Sequence, residues 1–292
     1  MQSNSSSRCS ADQVIRLANR LTFGDGPQTG KPVVLRPFQE SIFRKVCDSE
    51  MEIAAIWMPK KNSKTFLAAI FILTHLLHGL RMNLSPEIYS GSGTGINQAA
   101  LVFRAVAGFI YQSPALQQIL WVRENIYKIE SRDKTRPGMY KCVVADDDKL
   151  DGPNPSMFVL DEIHRGGKKT EAIWDTMLNG MAQRPDPLAI SISTAGVYDP
   201  ESAAWRLYDR SKKIDQGIYQ ANGLLPIIYE HDVEHDGPVP WDDGENAVYE
   251  AYVKVNPGAG DFIQESKIRS TISTAIDLPS KRSNFERFFL GI

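Results

Sequence analysis

Three short, largely apolar runs constrain this 292-residue chain more than any other feature. They are residues 53–58 (IAAIWM), 157–160 (MFVL) and 188–193 (LAISIS). Runs of this length, bounded by polar turns, read as strands buried on both faces, as in a parallel sheet. Helical periodicity fills the segments 64–80, 96–111, 170–181 and 202–214. Strands alternating with helices predict an α/β fold on a central, mainly parallel sheet flanked by helices. Residues 87–90 suit a further strand, 121–142 alternate charged and apolar side chains as a hairpin does, and 35–46 read as a helix. An amphipathic start, 11–23, is set off by the polar stretch 24–31 (GDGPQTGK).

Composition removes several classes. At 42% hydrophobic and 23% charged residues, the profile is that of a globular protein. Thirty-three Lys and Arg against 35 Asp and Glu leave a net charge of −2, so any nucleic-acid contact is a local patch. Cys9, Cys47 and Cys142 are odd in number and far apart, which argues against a disulfide framework or a cysteine zinc site and fits a reducing compartment. The apolar stretch 66–80 is too short to span a bilayer and carries His75 and His78. Residues 1–14 read as a polar tail without the apolar core of a secretory signal. After 225 the composition shifts: 226–265 hold ten acidic residues and one Lys, and 266–292 hold five basic and two acidic ones. The expected organisation is a core over 15–225 and a small lid or linker subdomain over 226–292.

The segment Pro59-Lys60-Lys61-Asn62-Ser63-Lys64-Thr65 lies between a buried strand and a helix. There, free backbone N–H groups and the positive end of the helix hold phosphate, a Lys reaches the β- and γ-phosphates, and a Ser or Thr hydroxyl binds Mg²⁺. Lys64 and Thr65 have the required types and order. The two glycines of G-x-x-x-x-G-K-[ST] are replaced by Met58 and Ser63. A Ser in the left-handed conformation that Gly normally supplies there costs about 1–2 kcal/mol. An ordinary polar turn opening a helix is the competing reading.

Three further segments complement this loop. The strand 157–160 ends in Asp161-Glu162, which places one carboxylate to hold Mg²⁺ through water and a second to polarise an attacking water. The strand 188–193 ends in a polar tip, Ser193-Thr194, expected beside Asp161 in a parallel sheet, where translocating ATPases sense the γ-phosphate. Upstream, Leu35-Arg36-Pro37-Phe38-Gln39 offers a Gln39 amide that can pair with the N6 and N7 edges of adenine, or else simply opens a helix with Pro in its first turn.

Together these segments resemble the N-terminal ATPase part of the large terminase subunit of tailed phages, over roughly residues 15–292. Leu35-Arg36-Pro37-Phe38-Gln39 resembles the family's L-x-P-F-Q adenine motif, and Lys60-Lys61-Asn62-Ser63-Lys64-Thr65 its deviant Walker A loop. Leu160-Asp161-Glu162 resembles its Walker B motif, and Ile192-Ser193-Thr194 its I-S-T coupling motif. Val255-Asn256-Pro257 and the closing 285–292 (FERFFLGI) also look like the family. Two departures are Ser63, in place of Gly, and Asp151-Gly152, where many members carry the Arg-Gly of a trans-acting finger; Lys149, Arg132 and Arg136 are alternative candidates for that role, and the sequence does not choose among them.

The resemblance implies an ASCE-type P-loop NTPase fold and ATP hydrolysis with Mg²⁺. It implies Lys64 and Lys60 on the phosphates, Thr65 and Asp161 on Mg²⁺, Glu162 as general base, and Ser193-Thr194 coupling phosphate loss to movement of 226–292. It further implies double-stranded DNA, a portal protein and a small terminase subunit as partners, a ring of like subunits, the host cytoplasm, and no membrane. The family continues into a ribonuclease-H-like nuclease; with the sequence ending at Ile292, no nuclease activity is expected of it. Backbone-directed DNA contact is expected from the basic residues after 265 or the region 123–141. The alternatives are another helicase-like P-loop ATPase and a weakly hydrolysing assembly or docking module. Residues 230–236 (EHDVEHD) read as a solvated acidic loop rather than a zinc site, 91–95 (GSGTG) as a βα turn, and His164 as a local hydrogen-bonding partner.

Overall fold

The computed structural model describes residues 8–92, 95–143 and 153–292. Helices α1 (Ala11–Ala18) and α2 (Pro37–Cys47) precede strand β1 (Ile53–Trp57), helix α3 (Lys64–Arg81) and strand β2 (Glu87–Ser92). Helices α4 (Ile96–Tyr111) and α5 (Pro114–Ile119) lead to β3 (Leu120–Arg123), β4 (Lys128–Ser131) and β5 (Met139–Val143). Then come β6 (Met157–Asp161), α6 (Gly167–Met181), β7 (Leu188–Ser193), α7 (Ala203–Asp215) and β8 (Leu224–Ile228). The C-terminal region holds α8 (Val233–Asp236), α9 (Glu245–Val255), α10 (Glu265–Asp277) and a wide π-helical turn, Glu286–Leu290.

The strands form one sheet in the order β3-β4-β5-β2-β6-β7-β1-β8. From β5 to β8 all neighbours run parallel, while β3-β4 and β4-β5 are the antiparallel hairpins expected over 121–142. Because side chains alternate along a strand, Ala54 and Ile56 face a core with α1 to α4, and Ala55 and Trp57 face a second core with α6 and α7. Strands covered on both faces need no polar alternation, which is why the apolar runs were continuous.

Two expected boundaries move. Residues 8–14 are no frayed tail: Arg8 is 7% exposed and donates to Met51 O at 2.6 Å, while Ala11 and Val14 are fully buried. The boundary at 225/226 falls inside β8, which pairs with β1 as the edge of the core sheet. The acidic composition that suggested the boundary begins with loop residues beyond that edge. A separate apolar cluster does form beyond it, from Trp241, Val248, Tyr252, Ile272, Phe285 and Leu290 among others. No helix among the described residues is long and apolar enough to cross a membrane.

Candidate active site

The sheet order fixes the site. β7 lies between β1, which feeds the phosphate loop, and β6, which ends at Asp161. In register, Trp57 stands beside Ser193, and Asp161 beside Ile192 on one side and Ser92 on the other. The carboxyl ends of four strands therefore open on one crevice, the usual place for a ligand in an open α/β sheet.

Within the loop, Lys61 (φ 74°) and Ser63 (φ 64°) both adopt left-handed backbone, so Ser63 takes the conformation for which Gly is normally used. Ser63 is also the residue before the first turn of α3, whose leading N–H groups have no partner within the helix. Lys64 is buried; its Nζ donates to Met58 O at 3.2 Å and Pro59 O at 3.3 Å and lies 3.6 Å from Glu162 Oε1. Burial lowers its pKa, against the opposing pull of Glu162 and Asp161. Thr65 follows in the first turn of α3, half-buried. Lys60 turns the other way, with Nζ 3.2 Å from the centre of the Phe288 ring and its N–H donating to Phe288 O at 2.8 Å. Burial, with Arg165 nearby, lowers the Lys60 pKa.

Asn62 departs most from the expectation. Its side chain is fully buried and hydrogen-bonds Asn256 and Gly258 of the C-terminal region. Among the expected loop residues it faces the protein, and Pro59 lends only its carbonyl to Asn62 and Lys64.

Asp161 is 3% exposed, and burial with the neighbouring charge of Glu162 pushes its pKa up to about 7. A buried carboxyl and a hydroxyl in a helix's first turn have the hard oxygen chemistry that suits Mg²⁺, an ion that keeps most of its waters. Thr65 and Asp161 thus fit the metal, and no cluster of three or more His, Cys, Asp or Glu fit for a metal exists among the described residues. Glu162 has left-handed backbone (φ 59°) just past the strand end, a strained geometry of the kind concentrated at functional sites. Its carboxylate is surrounded: His164 Nε2 at 3.2 Å, Thr194 Oγ1 at 3.5 Å, Arg165 Nε at 3.6 Å, and Lys64. Ser193 Oγ lies 2.8 Å from His164 Nδ1. His164, read from sequence as a local partner, therefore joins the acidic strand end to the Ser193-Thr194 tip.

Gln39 is 4% exposed, and its Oε1 accepts the Arg36 N–H at 2.9 Å, closing the first turn of α2. It lines a cavity of about 470 Å³ with Phe23, Lys31, Arg36, Ser63, Phe66 and Phe262. That volume lies within the usual range for small-ligand pockets, and its aromatic walls suit a planar base. The sequence reading missed Phe23, Phe66 and Phe262, which come from three distant segments. Arg36 pairs with both oxygens of Asp261, tying the cavity's rim to the C-terminal region.

Other expectations resolve locally. Arg132 donates to Gln117 O and Leu120 O, at the sheet edge far from β1. Lys149 and Asp151-Gly152 lie outside the described residues, as do Gly93 and Thr94. In 230–236, Glu230 binds Tyr208 and Lys212, Asp232 binds His235, and Asp236 binds Lys254, so these carboxylates are held in local pairs.

The family model for the terminase large subunit, ATPase domain, matches residues 38–213. Protein YmfN of Escherichia coli (strain K12) is 36% identical over 116 residues, covering 38% of this chain and 22% of YmfN. The HK97 bacteriophage large terminase is similar in structure, with a TM-score of 0.78 at 22% identity, covering 97% of this chain and 55% of that one. The ATPase domain of the Thermus phage P74-26 large terminase gives a TM-score of 0.52 at 14% identity, covering 81% of this chain and 91% of that one. The two structural likenesses establish the fold, and the chain spans about half the length of the HK97 protein. With the family model covering more than half of the sequence, and the phosphate loop and acidic strand inside the match, the chain belongs to the terminase large subunit ATPase domain family.

Proposed function

We propose that this chain hydrolyses ATP with Mg²⁺ and, as part of a large terminase, drives double-stranded DNA into a procapsid. The observation that carries the proposal is the approach of Lys64 Nζ to Glu162 Oε1, 3.6 Å apart across β7, with Asp161 beside them. Phosphoryl transfer asks for positioning and charge neutralisation more than covalent chemistry. In this reading, adenine enters the cavity between Gln39, Phe23, Phe66 and Phe262. The loop from Pro59 to Thr65 wraps the phosphates with its N–H groups. Lys64 leaves the carbonyls of Met58 and Pro59 for the β- and γ-phosphates. Thr65 and Asp161 hold Mg²⁺, which neutralises phosphate charge when bound. Glu162, freed from Lys64, orients the attacking water, and Thr194 and His164 hold its carboxylate in place. Lys60 reaches phosphate only by leaving Phe288.

Family membership supports the DNA substrate and a setting in the host cytoplasm. A portal protein, a small terminase subunit and a ring of like chains complete the proposal. Mg²⁺-dependent ATP hydrolysis, measured over a range of protein concentration with Lys64→Ala and Glu162→Ala in parallel, tests it. Activity that is lost in both variants and rises faster than linearly with concentration supports a motor completed in trans. Folded protein that neither binds nor hydrolyses ATP overturns it for this chain.

A further inference from the structure

We propose that Asn62 and Asn256 form the joint through which occupancy of the phosphate loop reaches the C-terminal subdomain; the proposal rests on the reading of that loop as a nucleotide site. Both side chains are buried, at 0% and 1% exposure. Asn62 Nδ2 donates to Asn256 Oδ1 at 2.7 Å, and Asn62 Oδ1 accepts the Gly258 N–H at 3.1 Å. Asn256 Nδ2 in turn donates to Tyr252 O at 2.9 Å and Phe289 O at 2.6 Å. One continuous amide chain thus runs from the phosphate loop, through the end of α9, to the closing turn of the protein.

The local sequence builds the partner surface. Pro257 ends α9 and keeps Asn256 out of helical backbone (φ −115°, ψ 86°), which turns its amide back onto the loop. Gly258 is required by close approach: a Cβ there would stand 2.4 Å from the Phe262 ring and 3.2 Å from Asn62 Oδ1. The π-helical turn Glu286–Leu290 leaves three successive carbonyls free for outside donors. Phe288 O accepts from Lys60 N at 2.8 Å, Phe289 O from Asn256, and Leu290 O from His231 N at 2.8 Å.

Why this is a joint and not only a seam follows from where Asn62 sits. The residues on either side of it, Lys61 and Ser63, hold left-handed backbone, so the loop's conformation is fixed from outside. Any change in loop backbone when phosphate enters displaces Asn62. A buried amide that loses its partner costs more than an exposed contact does, so the partner moves with it. The subdomain has its own apolar core and can follow as a body. Of its further polar ties to the core, Lys60 N to Phe288 O comes from the same loop, and Arg36 to Asp261 is exposed and correspondingly weak. Ser193 and Thr194, by contrast, hydrogen-bond His164 and Glu162 within the core. Asn62 and Asn256 are positioning residues, and the loop itself carries the signal.

Hydrogen–deuterium exchange over residues 245–292 tests this, measured with and without a non-hydrolysable ATP analogue and Mg²⁺, together with the Kd for the analogue. Wild type is expected to change its protection on binding. Asn256→Ala is expected to keep the Kd within about threefold while losing most of that change. A purely structural role would raise exchange equally in both states and leave their difference intact, which overturns the proposal. Asn256→Asp, which keeps the acceptor for Asn62 Nδ2 but has no amide to donate to Tyr252 O and Phe289 O, is read in the same way if Asn256→Ala does not fold. A wild type that binds the analogue without any response in 245–292 overturns the joint and leaves the nucleotide site standing. A wild type that binds no analogue overturns both.

Discussion

His164 Nε2 lies 3.2 Å from Glu162 Oε2, and the opposite nitrogen of the same ring lies 2.8 Å from Ser193 Oγ. One imidazole therefore bridges the acidic end of β6 and the polar tip of β7. Burial lowers its pKa to about 4, so the ring is neutral at ordinary pH and acts by orientation rather than charge. His164→Ala is expected to lower kcat for ATP by about tenfold with little change in KM, because it loosens the base without touching the nucleotide. His164→Gln, which keeps a donor and an acceptor, should recover part of the loss in steady-state ATPase assays.

Ser63 holds φ 64° where its Cβ is unfavourable. Ser63→Gly relieves that cost, offset in part by the freer unfolded chain, and should raise stability by about 1 kcal/mol in urea titration. The β-branched Ser63→Val should shift the midpoint in the opposite direction and by more.

Asp161 carries the cost of a buried carboxylate. Its pKa is raised from 3.8 to about 7, so the folded protein holds the proton more tightly than the unfolded chain. Its contribution to stability is present below pH 3.8 and lost as pH rises through about 7. Asp161→Asn removes that loss. In EDTA, the variant's Tm should exceed that of wild type by a margin that grows from about pH 4 and levels off above about 7, while Mg²⁺-dependent turnover is abolished.

His75, inside α3, gives the opposite sign. Its Nδ1 lies 2.9 Å from Phe71 O, its Nε2 is buried without a hydrogen-bond partner among the described residues, and burial lowers its pKa to about 4. The folded state thus resists protonation. Its stabilising contribution is present above pH 6.5 and lost as pH falls towards about 4. Urea midpoints measured from pH 7 to 4 should fall less steeply in His75→Phe than in wild type.

The local code of this chain was complete enough to place its elements. The runs at 53–58, 157–160 and 188–193 became β1, β6 and β7, and 96–111 became α4 without a shift, because burial on both faces and helical periodicity are written in consecutive residues. Lys64, Asp161, Glu162 and Ser193 stand at the ends of those elements, so their meeting followed once the strands were parallel. Other features depended on distant partners. Residues 8–14 read as polar, yet Arg8 finds carbonyl acceptors at Met51 and Pro187 and packs into the core. Residues 226–228 read as the start of a new unit, yet the edge of β1 was open to pair with β8. Asn62 matched a phosphate-binding pattern, yet its amide faces Asn256, 194 positions away. Sequence determined which segments are strands and helices and which side chains stand at their ends, since those depend on neighbours along the chain. Tertiary structure alone decided where each buried polar group finds its partner, because a hydrogen bond made across nearly two hundred residues leaves no periodicity to read.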